Sequence, residues 1–117
     1  MKILLNEYDL SGGDYTAALT KMDTLTNFIR PYCNISFQAV WTGVTHTSAF
    51  DGVVYPVISL NGVDRIRAGA INIDGASNVN DNDAQIVGGV WAHVGVDVDV
   101  GSINAGNLSV YVEGEPI

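Results

Sequence analysis

The chain has 117 residues, a length typical of one compact domain; 47% are hydrophobic and 15% charged, a balance that argues against disorder. Thirteen acidic residues against five basic ones give a formal net charge of −8 at pH 7, so a nucleic-acid backbone would be repelled. The single cysteine, Cys33, excludes an intrachain disulfide and a cysteine-based zinc site.

The first thirty residues begin with a strand pattern and continue with an ambiguous segment. The run "KILLNEY" (2–8) predicts a strand, and "DLSGGD" (9–14) predicts a turn. Residues 15–30 carry apolar side chains at helical spacing, but their four threonines favour extended structure, with a short helical turn as the alternative. The initial apolar run is too short for a signal peptide or a membrane span, which favours synthesis in a cytoplasm and no membrane partner.

Two segments in the middle of the chain differ in how many of their faces are apolar. In "NISFQAVWT" (34–42) apolar and polar residues alternate, which predicts a strand with one buried face that includes Trp41. In "VVYPVISL" (53–60) both faces are apolar, so we expect both to be covered. Pro56 cannot donate to a ladder, which predicts an edge or a bulge, and "NG" at 61–62 predicts a tight turn.

A polar loop divides the remaining sequence. "AGAINID" (68–74) predicts a short strand, and "GASNVNDNDAQ" (75–85) predicts a loop rich in side-chain oxygens. Such oxygens could hold a weak structural calcium ion, but the order of an EF-hand loop is missing and turns use the same residues. We interpret 75–85 as an ordinary loop first and a calcium site second. Glycines at 88–89 predict a bulge, and "NLSVYVE" (107–113) predicts the last strand.

The stretch "VWAHVGVDVDV" (90–100) alternates without a break, with valine or alanine at every even position. Its other face carries Trp91, His93, Asp97 and Asp99. A strand rises about 3.4 Å per residue, so His93 and Asp97 are about 13–14 Å apart, too far to share one zinc ion. We interpret these four side chains as a solvated or interface surface and predict no catalytic, cofactor-binding or metal-ligating residue among them.

About seven strands joined by short polar turns predict an all-β protein, a single antiparallel β-sandwich or jelly-roll-like domain. This domain is expected to span residues 1–117, with residues 1–30 as a possible N-terminal anchoring arm. The chain contains no nucleophile elbow, phosphate-binding glycine loop or zinc-protease motif, so we expect a protein that is not an enzyme.

Three segments together resemble the small β-sandwich proteins found in the virions of tailed bacteriophages. They are "NISFQAVWTG" (34–43), "VVYPVISLNG" (53–62) and "VWAHVGVDVDVGSINAGNLSVYVEGE" (90–115). The resemblance implies a non-enzymatic capsid decoration, head-fibre or tail-accessory protein with no catalytic residues. It also implies an oligomer that binds the major capsid protein or other virion proteins, located in the virion after synthesis in the host cytoplasm.

A carbohydrate-binding module that recognises host-surface glycans is the alternative. It would use Trp91, whose ring could stack on a sugar, together with the segments 43–52 or 75–85. We favour burial of Trp91 by a neighbouring subunit, because tryptophan is enriched among the anchor residues of protein interfaces.

Overall fold

The computed structural model describes residues 2–10, 20–22, 26–46, 52–73, 80–99 and 103–116. These residues form eight strands: β1 (Lys2–Asp9), β2 (Thr20–Met22), β3 (Thr26–His46), β4 (Gly52–Ser59), β5 (Ile66–Arg67), β6 (Ile71–Ile73), β7 (Asp81–Asp99) and β8 (Ile103–Pro116). No helix long and apolar enough to cross a membrane occurs among them. All strand pairs are antiparallel, which confirms the all-β prediction.

Within the sheet, hydrogen-bonded neighbours follow the order β1-β8-β3-β7-β4-β5. In addition, β2 pairs with β7 and β6 pairs with β4. The two long strands join the parts of this sheet, because β7 pairs with β3 along its first half and with β4 along its second. Apolar side chains of β3 and β8 meet those of β4, β6 and β7 in one buried cluster. The two parts of the sheet therefore face each other as in a sandwich, as the sequence predicts.

A bulge interrupts the register between the two long strands. Residues 33–35 of β3 lie opposite residues 87–90 of β7, so β7 has one residue more than its partner. Gly89 has a φ of 91° and Asn34 a φ of 48°, so both strands contain a left-handed residue at this point. The bulge predicted at residues 88–89 is confirmed.

The predicted buried faces of the two long strands lie in the core. The alternating residues Ile35, Phe37, Ala39 and Trp41 of β3 and the valines Val94, Val96 and Val98 of β7 are each at most 3% exposed. Burying such a side chain contributes about 1.5–3 kcal/mol. The buried row of β7 begins later than the sequence suggests, because Val90 lies beside the bulge and is 49% exposed.

Strand β4 is covered on both faces, as its apolar pattern predicts. It is an interior strand, with β7 along one edge and β5 and β6 along the other. The carbonyl of Pro56 accepts a hydrogen bond from the backbone N–H of Ala68, 2.9 Å away. Residues 68–70, between β5 and β6, are not in strand conformation. Pro56 therefore faces an irregular stretch, which needs no N–H from it, and does not lie at an edge of the sheet.

The described end of the polar segment 75–85 is mostly strand. Its last five residues, 81–85, belong to β7 and pair with residues 37–41 of β3, so the interpretation of this part as a loop is wrong. The reason is that pairing with β3 satisfies the backbone of this segment, so residues 81–84 can form a strand although their side chains are exposed. The preceding residues 74–79 lie outside the described residues.

The described parts of the N-terminal segment are extended. β1 pairs with β8, β2 pairs with the end of β7, and residues 26–30 form the beginning of β3. These strands confirm the prediction of extended structure where it can be compared. Residues 11–19 and 23–25, which include most of the predicted turn, lie outside the described residues, and the anchoring role of residues 1–30 stays a prediction.

Candidate interaction surface

The chain turns sharply after β4, and the turn is held by its own side chains. Asn61 Oδ1 accepts hydrogen bonds from the backbone N–H groups of Val63 (2.9 Å) and Asp64 (2.8 Å). Asn61 Nδ2 donates to Asp64 Oδ2 at 2.7 Å. Gly62 has a φ of 76°, a conformation that glycine adopts at little cost. The tight turn predicted from Asn61 and Gly62 is confirmed, and hydrogen bonds of the Asn61 side chain hold its backbone.

Residues beneath the turn support it from the sheet. The buried hydroxyl of Ser59 donates to Asn61 Oδ1 at 3.1 Å and accepts from the backbone N–H of Gly62 at 3.0 Å. His93 pairs with Ser59 in the β4–β7 ladder. Its ring lies against the turn, because a Cβ placed on Gly62 would be 3.1 Å from His93 Cε1. His93, one of the four predicted site residues, therefore lies beneath this turn.

Three apolar side chains project from the turn and from the strand that follows it. Leu60 is 74% exposed, Val63 is 76% exposed and Ile66 is 50% exposed. We refer to Leu60, Val63 and Ile66 as the apolar trio. Because hydrogen bonds fix the turn that carries Leu60 and Val63, these two side chains are presented to the surroundings in a defined arrangement.

Next to the trio, Asp97 is enclosed by two arginines. The side chain of Asp97 is 4% exposed; its Oδ1 lies 2.5 Å from Arg65 Nη2 and its Oδ2 lies 2.9 Å from Arg67 Nε. Arg65 Nη2 also donates to the carbonyl of Val96 at 3.4 Å. Residues two apart in extended chain point to the same side, so both arginines reach Asp97 while Ile66 points away from it.

The arginines cross an intervening strand to reach the carboxylate. β5 pairs with β4, and β4 pairs with β7, so the two ion pairs connect strands that are not neighbours. Tyr55 of β4 lies directly opposite Asp97 in the ladder, and the guanidinium carbon of Arg67 is 4.2 Å from the centre of its ring. This cation–π contact and the ion pairs together cover the outer face of β4 and hold β5 in place.

The four predicted site residues do not converge on one point. His93 contacts the turn and Asp97 binds the arginines. Trp91 is half-buried against the core, and its indole N–H donates to the carbonyl of Gly88 at 2.7 Å. Asp99 lies at the end of β7 between β2 and β4. A shared role of these side chains in an interface stays a prediction.

The oxygen-rich segment before and within β7 is partly engaged with β3. Asn80 Oδ1 accepts from the backbone N–H of Gly43 at 2.9 Å, and Asn82 Oδ1 accepts from Gln38 Nε2 at 3.4 Å. Over the described residues, no group of three histidine, cysteine, aspartate or glutamate side chains is placed to hold a metal ion. Since 74–79 are outside that part, a calcium ion at 75–85 stays a prediction.

Sequence reasoning missed Arg65, Arg67 and Tyr55. A signal was present, since "RIR" places two cations on one side of an extended segment and Asp97 lies between two valines of a strand. The spacing does not reveal which strand lies beside which, and the arginines are more than 25 residues from Asp97 in the sequence.

No protein-family model matches the sequence, and no curated protein is significantly similar to it. Solved structures with a related shape include Bacillus endospore appendages, which form disulfide-linked pili, at 10% identity and a TM-score of 0.43, covering 99% of this chain and 87% of that one. A chain of infectious bursal disease virus, Gx strain, has 14% identity and a TM-score of 0.39, covering 97% and 32%. CsCBM6-3 from Clostridium stercorarium, solved with cellobiose, has 11% identity and a TM-score of 0.38, covering 100% and 94%. These similarities concern the general fold alone.

Proposed function

We propose that the chain is a non-enzymatic structural protein that assembles with other proteins of a particle and docks through the apolar trio. The observation that carries the proposal is the exposure of Leu60 and Val63, about three-quarters each, on a turn fixed by Asn61 and Ser59. Single exposed apolar residues are ordinary, but two on one turn held by hydrogen bonds, with a third on the strand that follows, suit an interaction site.

A fixed turn favours docking for an energetic reason. A turn whose backbone is already held by hydrogen bonds loses little backbone entropy when a partner covers it. Burying a Leu, Val or Ile side chain contributes up to about 1.5–3 kcal/mol, so the trio supplies enough apolar area for a small, specific contact. The ion pairs of Asp97 add to this rigidity, because they hold the strand that follows the turn.

The particle we propose is the virion of a tailed bacteriophage, in which the chain would be a capsid decoration, head-fibre or tail-accessory component. Support comes from the sequence resemblance over 34–43, 53–62 and 90–115, the second of which runs into the turn that carries the trio. The partners would be the major capsid protein, other virion proteins or further copies of the chain in an oligomer. The charge of −8 would keep unassembled copies apart.

Recognition of host glycans through Trp91 has less support. Its indole N–H is already bonded to the carbonyl of Gly88, and its ring packs partly against the core. That bond uses the single N–H donor of the indole, so Trp91 has no donor left for a sugar hydroxyl.

The proposal is tested by incorporation into particles. Cells that produce the particles would express wild type, Val63→Asp or Ile86→Asp, and purified particles would be analysed by mass spectrometry. Ile86 is 66% exposed but lies on β7, away from the turn, so it is the matched control. We expect Val63→Asp to be lost from particles and Ile86→Asp to be retained. Normal incorporation of Val63→Asp, or absence of the wild-type chain from particles, would refute the proposal.

A further inference from the structure

The outer face of the sheet formed by β8, β3 and β7 contains a hollow that no part of the proposed function uses. Its volume is about 210 Å³, and it is lined by Ser36, Phe37, Gln38, Ala84, Tyr111, Val112 and Glu113. Phe37 and Val112 belong to the core, so the accessible side chains are the other five. The hollow is separate from the apolar trio, and its role is independent of it.

The register of the strands explains why the hollow exists. Gln38 lies between Ala84 on β7 and Tyr111 on β8, and the side chains of all three point outward. Two residues earlier on β3, Ser36 lies beside Glu113 of β8. The short side chains of Ser36 and Ala84 form a low floor, and the longer side chains of Gln38, Tyr111 and Glu113 stand beside it.

We infer that this hollow binds one ring of a neutral sugar. A pyranose has C–H faces that pack on an aromatic ring, which Tyr111 offers, and hydroxyl groups that need partners at its edge. A carboxylate such as that of Glu113 accepts hydrogen bonds, and the hydroxyl of Ser36 donates and accepts. The amide of Gln38 donates to Asn82 Oδ1 at 3.4 Å and has a carbonyl oxygen that accepts. An aromatic ring beside a carboxylate, an amide and a hydroxyl therefore matches both kinds of sugar surface.

Size and charge narrow the class of ligand. The volume lies below the range of about 300–1,000 Å³ typical of sites that enclose larger ligands, so the hollow fits a single ring lying on the sheet. The net charge of −8 disfavours phosphorylated or carboxylated ligands. An uncharged hexose or N-acetylhexosamine unit at the end of a glycan satisfies both conditions.

The site is tested by NMR titration of the intact chain with the methyl glycosides of glucose, galactose, mannose and N-acetylglucosamine. We expect at least one of them to shift backbone amide signals concentrated at residues 36–38, 84 and 111–113. Absence of shifts with all four probes at the highest soluble concentration would overturn the inference. Shifts centred on Trp91 instead would also overturn it, because they would place binding elsewhere.

Variants of the hollow separate binding from folding. Ala84 is exposed, so Ala84→Leu should fill the hollow without disturbing the core and weaken binding at least tenfold, about 1.4 kcal/mol. Ala70→Leu changes another exposed alanine and should bind as wild type. Tyr111→Ala should weaken binding about tenfold, and Tyr111→Phe should retain most of it. A folded Ala84→Leu protein with unchanged affinity would contradict the inference.

Discussion

The two halves of β7 belong to one strand but differ in sequence pattern and in surroundings, because only the second half alternates. Residues 94–98 are buried on both faces, with valines toward the core and Asp97 beneath Arg65 and Arg67. Residues 81–86 of the same strand are mostly exposed and, among the described strands, pair only with β3. Alternation thus identifies a strand and its inward face. Whether the other face is buried or exposed depends on which neighbouring strands place side chains over it.

The largest expected difference between the halves is their tolerance of a charge. Val96→Asp places an unpaired carboxylate in the core, and we expect a loss of more than about 4 kcal/mol of unfolding free energy, enough to unfold a typical domain. Ile86→Asp, on the exposed half, should cost about 1 kcal/mol or less. Urea denaturation followed by circular dichroism compares them. A soluble Val96→Asp protein with a wild-type midpoint would show that the register of β7 is wrong.

Removal of Asp97 should have the second largest effect. Asp97→Ala leaves Arg65 and Arg67 close together without their shared carboxylate, and we expect a loss of about 2–4 kcal/mol, reduced from a fully buried pair because both arginines reach solvent. Asp97→Asn keeps the shape and should lose less. The same denaturation experiment measures both. Equal stability of Asp97→Ala and wild type would mean that the face of β7 that carries Asp97 is as exposed to solvent as residues 81–86.

The bulge between the two halves can be examined with adjacent glycines. Gly89 has a left-handed φ of 91°, and a Cβ there would lie 2.9 Å from Trp91 Nε1, whereas a Cβ at Gly88 would meet nothing within 4 Å. Gly89→Ala should therefore cost about 1–2 kcal/mol more than Gly88→Ala and shift the indole N–H signal of Trp91 in NMR spectra. Equal stability of the two variants would contradict the left-handed conformation of Gly89 in this bulge.

The smallest expected effect concerns the more exposed arginine. The side chain of Arg67 is 45% exposed and that of Arg65 is 22% exposed. Arg67→Ala should cost less than about 1 kcal/mol, because solvent screens its ion pair, and Arg65→Ala should cost more. Thermal denaturation of the two variants side by side gives the order. The reverse order would indicate that stacking on Tyr55, rather than the charge on Asp97, holds β5 in place.

The sequence predicts the strands and turns better than it predicts the contacts between side chains of different strands. The strand at 34–42, the turn at 61–62, the bulge at 88–89 and the buried valines follow from periodicity and backbone preferences, which are local. The ion pairs of Arg65 and Arg67 with Asp97 depend on β5 lying two strands away from β7. No local sequence pattern carries that information. The hollow beside Tyr111 depends on Ala84 lying across β3, which requires the register of three strands.

The role of the apolar trio as a docking surface is tested most directly by photo-crosslinking from Val63 in cells that produce the particles. A photoreactive amino acid would replace Val63 in one variant. In the control variant it would replace Ile86, whose side chain is comparably exposed. We predict a strong crosslink from position 63 to a particle protein, which includes a second copy of the chain, and little from position 86. Crosslinks from position 86 alone, or from neither position in particles that contain the chain, would contradict the account.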